Sequence, residues 1–135
     1  MSFKGLAHIG IYTKSMEESK DFYINKLGFV PDFETTVDKG AGKSLKIAFV
    51  KLGSLILELL EPSEKEHIPK GCDGAANHIA IEVKDMDGCV QTLQEKGIVF
   101  ETNQPISMDT LAHPAKIIFF KGPSGERLEL FEYFC

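Results

Sequence analysis

Two histidines and two glutamates stand at matched places in this chain of 135 residues. His8 sits in Ala7-His8-Ile9-Gly10-Ile11 and His78 in Asn77-His78-Ile79-Ala80-Ile81, an offset of 70; Glu58 in Leu57-Glu58-Leu59 and Glu129 in Leu128-Glu129-Leu130 are offset by 71. Imidazole nitrogen and carboxylate oxygen together suit a divalent cation, and two carboxylates balance its charge. A lone strand histidine is more often a hydrogen-bonded structural residue, and a lone strand glutamate a solvated one. Recurrence of both types at corresponding positions favours the N₂O₂ metal site.

Positioning such a set falls to the elements around it. Side chains on a strand alternate between faces. Ala7, Ile9 and Ile11 therefore share one face, and Leu6, His8 and Gly10 the other. In the later copy Ile79, Ile81 and Val83 oppose His78 and Ala80. Leu55, Leu57 and Leu59 oppose Ile56, Glu58 and Leu60, and Leu128 and Leu130 oppose Arg127, Glu129 and Phe131. A carboxylate in such an apolar strand is costly unless neutralised. Each histidine has a very small residue two positions on, which leaves room beside it.

The rest of the chain keeps the same spacing. Ser15-Met16-Glu17-Glu18 reads as a capping box opening a helix that ends near Leu27 at Gly28. Asp85-Met86-Asp87-Gly88 opens a second that ends near Lys96 at Gly97. Their buried stripes are expected to be Met16-Tyr23-Leu27 and Met86-Val90-Leu93. After each helix come an apolar run (Phe29-Val30; Ile98-Val99-Phe100), a polar loop and two strands, Leu45–Leu52 with Leu55–Glu61 and Lys116–Phe120 with Arg127–Phe134. The chain is thus α+β, with two tandem βαβββ modules, 1–62 and 76–135, joined by a linker, 63–75, and together making a single domain.

Composition bounds the partners. Fifteen basic against twenty acidic side chains give a formal charge of −5, with no basic run of the kind that binds nucleic acid. No apolar stretch is long enough to span a bilayer. Cys72, Cys89 and Cys135 are odd in number and widely spaced, which argues for a reducing cytoplasm and against a disulfide framework. Gly40-Ala41-Gly42-Lys43-Ser44 imitates the end of a phosphate-binding P-loop but leads into a strand, not a helix, and reads as a β–β loop. His67 and His113 have no repeat partner and read as surface residues; Phe49, Phe119 and Phe120 read as core or pocket wall.

The motifs His8-Ile9-Gly10-Ile11, Phe22-Tyr23-Ile24-Asn25-Lys26-Leu27-Gly28-Phe29, Leu57-Glu58-Leu59, His78 to Val83 and Gly122-Pro123-Ser124-Gly125-Glu126-Arg127-Leu128-Glu129-Leu130 resemble the vicinal oxygen chelate superfamily, which includes glyoxalase I and methylmalonyl-CoA epimerase. That resemblance implies cupped mixed sheets with helices outside, and carries the ligand roles onto His8, Glu58, His78 and Glu129. It implies nickel or zinc, with cobalt, manganese or iron as further options, acting as a Lewis acid while a carboxylate of the metal shell takes a proton from a carbon next to a carbonyl. Glu129 is the expected base and Glu58 its symmetric partner. The implied reaction is glyoxalase I-like, a hemithioacetal of methylglyoxal and a thiol passing to a lactoyl thioester. Epimerisation of an acyl-CoA and sequestration by a metal-free resistance protein are the alternatives. Glutathione-dependent bacterial members carry Asn where Glu61 stands, a departure that counts against glutathione; Glu58-Leu59-Leu60-Glu61-Pro62 is closer to the epimerases, although their second-half Gly-Ala-His-Gly stretch is absent. A homodimer is expected, because small modules leave sheet edges and faces to cover.

Overall fold

A computed structural model describes residues 6–68, 78–109 and 114–134. The chain divides into two compact units, Met1–Cys72 and Asp73–Cys135. Each holds one four-stranded mixed sheet with a helix on one face.

In the first unit the elements are β1 (Ile9–Tyr12), α1 (Met16–Lys20), β2 (Val30–Gly40), β3 (Lys43–Leu52) and β4 (Leu55–Pro62). The sheet order is β1-β4-β3-β2, with β1 parallel to β4 and the other pairs antiparallel. The leucine face of β4 is the packed one: Leu57 and Leu59 are fully buried, as are Ala48 and Val50 of β3. Met16, Phe22 and Tyr23 supply apolar side chains to the helix's buried side.

That helix differs from the expected one in two respects. The Ser15 hydroxyl accepts from the Glu18 N–H at 3.3 Å, but the Ser15 N–H donates to Thr13 Oγ1 at 3.1 Å, so only half of a capping box forms. After Lys20 the chain widens into a π-helical segment, Asp21–Lys26, in which the Leu27 N–H reaches back five residues to the Phe22 carbonyl at 3.1 Å. The wider turn brings both Phe22 and Tyr23 to the buried side and leaves Leu27 only half-buried. Gly28, at φ +86°, then closes the segment.

A second difference is β2. The polar loop expected after Val30 is an eleven-residue strand at the sheet edge, exposed along its whole length. Its side chains lack the burial alternation that marks a strand in sequence, and Pro31 sits where an edge tolerates it. Ala41 and Gly42 form the turn to β3, so the P-loop-like stretch is a β–β connection as expected.

In the second unit β5 (Ile79–Glu82), α2 (Met86–Glu95), β6 (Ile106–Met108), β7 (Ala115–Lys121) and β8 (Arg127–Tyr133) repeat the plan, in the order β5-β8-β7-β6. The β5–β8 pair is again parallel. The helix stripe is the expected Met86-Val90-Leu93, and it packs over Leu128 and Leu130 of β8. Asp85, in the left-handed region at φ +62°, accepts from the Gly88 N–H, and Gly97 at φ +89° follows the helix end. The linker begins with a short 3₁₀ turn, Lys65–His67. Linker residues 69–75, which include Cys72, lie outside the described residues, as do His113 and Cys135.

Candidate metal centre

The face of each sheet away from its helix carries one histidine and one glutamate in contact. In the first unit Gly10 pairs with Glu58 across the parallel ladder. His8, two residues before Gly10, reaches diagonally past the glycine, and its Nε2 lies 3.3 Å from Glu58 Oε1. A Cβ on Gly10 would stand 3.7 Å from that oxygen and 3.4 Å from Leu60, both ordinary contact distances. On the other side of Glu58, Phe49 is its direct partner in β3, and the His8 ring meets Phe49 edge-on with centroids 5.4 Å apart.

The second unit repeats this almost distance for distance. Ala80 pairs with Glu129, His78 Nε2 lies 3.4 Å from Glu129 Oε1, and the His78 ring meets Phe119 edge-on at 5.5 Å. Phe119 is the β7 partner of Glu129. Phe49 and Phe119 are thus the walls that fix the histidine rings, a narrower role than the core or pocket wall expected of them. Their own offset of 70 is the signal that pairs them.

The carboxylates differ in setting. The Glu58 side chain is 20% exposed and that of Glu129 only 6%. Burial lifts the Glu129 carboxyl above the ordinary carboxylate value, against the opposing pull of His78 and Arg127.

Two further glutamates, three residues beyond the candidate ligands, do different work. Glu61 Oε1 accepts from the Met16 N–H at 2.7 Å and Oε2 pairs with Lys65 at 2.9 Å; Glu132 accepts from the Asp85 and Met86 N–H groups at 2.8 and 3.0 Å. Both hold the first turn of the helix in their own unit. Glu61 therefore faces the helix, not the histidine side. The repeated Glu-x-x-Glu of β4 and β8 was the available signal.

Nitrogen and oxygen ligands at about 2.1 Å from one ion, in neighbouring positions, stand about 3.0–3.4 Å apart. The His–Glu separations fall in that range in both units, and the buried Glu129 carboxylate gains a counter-charge. Within a unit the set stops at one such pair: no group of three or more His, Cys, Asp or Glu able to hold a metal occurs among the described residues. Two pairs are needed for four ligands.

Comparison with known proteins is decisive for the family. Residues 5–130 match the model of the Glyoxalase/Bleomycin resistance protein/Dioxygenase superfamily. The chain belongs to that superfamily. Among superfamily relatives, the uncharacterized protein YwkD of Bacillus subtilis is 35% identical, covering 98% of this chain and 99% of its own. The mitochondrial methylmalonyl-CoA epimerase of Dictyostelium discoideum is 30% identical over 94% of this chain and 77% of its own. The crystal structure of a glyoxalase family protein from Enterococcus faecalis superposes with a TM-score of 0.77 at 28% identity, over 98% of this chain and 100% of that one. The superfamily fold, two mixed sheets with few helices, is the one described above. No helix among the described residues is long and apolar enough to cross a membrane.

Proposed function

We propose that this chain is a divalent-metal-dependent enzyme that moves a proton at a carbon next to a carbonyl, in the manner of a glyoxalase I-like lyase. The observation that carries the reading is the His–Glu contact made twice, at 3.3 and 3.4 Å, each beside a very small residue and a phenylalanine. His8, Glu58, His78 and Glu129 are the proposed ligands. Nickel or zinc is the first expectation, and cobalt, manganese or iron also suit the set. When bound, the cation supplies a Lewis acid for the negative charge that develops on the substrate carbonyl oxygen.

The chain's own residues do the rest. His8 and His78, braced by Phe49 and Phe119, hold neutral nitrogen donors in place. Glu129 takes the proton from the reacting carbon. That proton is returned to the neighbouring carbon while the hydroxyl proton passes from the first carbon's oxygen to the second's, which completes the isomerisation of a hemithioacetal to a 2-hydroxyacyl thioester. Glu58 is the symmetric carboxylate. A second reading has Glu58 and Glu129 serving opposite faces of one α-carbon, which epimerises an acyl-CoA. The likeness to a methylmalonyl-CoA epimerase favours it.

The test is metal analysis of the purified protein followed by two assays. One follows thioester formation from methylglyoxal and a panel of thiols, and the other α-carbon exchange in a 2-methyl acyl-CoA. Turnover in the first supports the lyase and in the second the epimerase. Tight small-molecule binding without metal or turnover contradicts both.

A further inference from the structure

The two units match in His, Glu, Phe and small residue, but not in the residue across from each histidine. In the first unit that place on β4 is Ile56; in the second, the corresponding place on β8 is Arg127, two residues before Glu129 and on the same face. Arg127 is held in a fixed pose. Its guanidinium carbon lies 3.7 Å from the centre of the Phe119 ring, the ring that also braces His78. Its Nε and Nη2 donate to Glu101 at 3.1 and 2.9 Å. Glu101 is itself tied to the sheet by its N–H on the Phe119 carbonyl at 2.8 Å.

A guanidinium has five N–H donors in a planar fork. The bond pair to Glu101 uses two, and the side chain remains 36% exposed. The side chain is rooted two residues before Glu129 on the same strand face, near enough that the two charges act on each other, and its other donors are unused by Glu101. A stacked, clamped arginine gives up little conformational freedom on meeting a ligand, which favours binding.

We propose that Arg127 is an anion-binding residue of the candidate site, and that the substrate carries a carboxylate received by its fork. The inference rests on the proposed function and narrows it to anionic substrates, with recognition by the second unit. The planar two-oxygen geometry of a carboxylate matches the fork.

The experiment compares binding of malonate and of its uncharged diamide, malonamide, by calorimetry to the full-length protein as purified, in the wild type, Arg127→Met and Arg127→Lys. Metal content is measured on the same samples. The wild type is expected to prefer malonate. In Arg127→Met that preference falls about tenfold to hundredfold, as the loss of a charge-assisted contact implies, and Arg127→Lys falls between. Arg127→Lys keeps the charge and guards against a folding defect. An unchanged malonate-to-malonamide ratio in a folded, metal-replete Arg127→Met variant overturns the assignment and leaves the proposed function standing. Absence of metal from the wild type contradicts the proposed function instead.

Discussion

The proposed chemistry turns on Glu129, which joins low exposure to contact with an imidazole. Exchange of its carboxylate for an amide keeps the shape and removes the base. Glu129→Gln is expected to lower kcat by about 10²–10⁴-fold in whichever of the two assays proves active, and full activity in that variant sinks the base assignment. At this scale much of the site was legible. His8, His78, Glu58 and Glu129 announce themselves by recurrence, and strand alternation brings each His to the face of its Glu. Arg127 was placed on that face but given no role, because a residue without a counterpart in the other half carries no repeat signal. The place of Glu61 at the helix start was not read, because alternation was applied to Glu58 and not carried three residues on, where the parity reverses.

The elements turn these identities into positions. Glu61 joins β4 to the start of α1. Burial pulls its carboxyl up, yet the Lys65 ammonium and the Met16 N–H outweigh this and hold it below the ordinary value of 4.5. A group depressed on folding contributes stability above its unfolded pKa and loses it as pH falls through the folded one. Glu61→Gln is therefore expected to cost about 1 kcal/mol near neutral pH, a fall in Tm of about 4 °C. The gap to wild type should close as the pH drops below about 4.5, and thermal melts across pH 3–7 would read it; a gap independent of pH contradicts the assignment. Gly10 is the second lever. Gly10→Ala only copies Ala80 and should leave metal content unchanged, whereas Gly10→Val crowds Glu58 Oε1 and Leu60 and should weaken metal retention while the fold survives. Equal metal content in both variants would refute that. The helices could be read from caps and glycines. The π-helical widening and the edge strand β2 could not: one follows from packing Phe22 and Tyr23 together, the other from pairing with β3 despite a polar sequence.

At the scale of the molecule, duplication explains both the order and the economy of the chain. A 70-residue offset gives each unit the same parallel pair of first and last strands, and that pair sets His against Glu. One His–Glu contact per unit makes the proposed chemistry depend on the duplication. A homodimer is proposed as the working form. Light scattering on the eluting protein is expected to give a mass of about 30 kDa, and a 15.0 kDa species at working concentration contradicts it. The fold class was legible because periodicity and repeat act together over the whole chain, whereas a single βαβββ half would have been ambiguous.

The central claim is that the two His–Glu pairs hold a cation, and elemental analysis of the purified protein tests it most directly. The expected result is one divalent ion per chain in the wild type, lost in His8→Ala and in His78→Ala while both variants keep the circular dichroism of the fold. Wild-type protein without a bound ion after incubation with nickel or zinc, or an ion retained in full by both histidine variants, would contradict it.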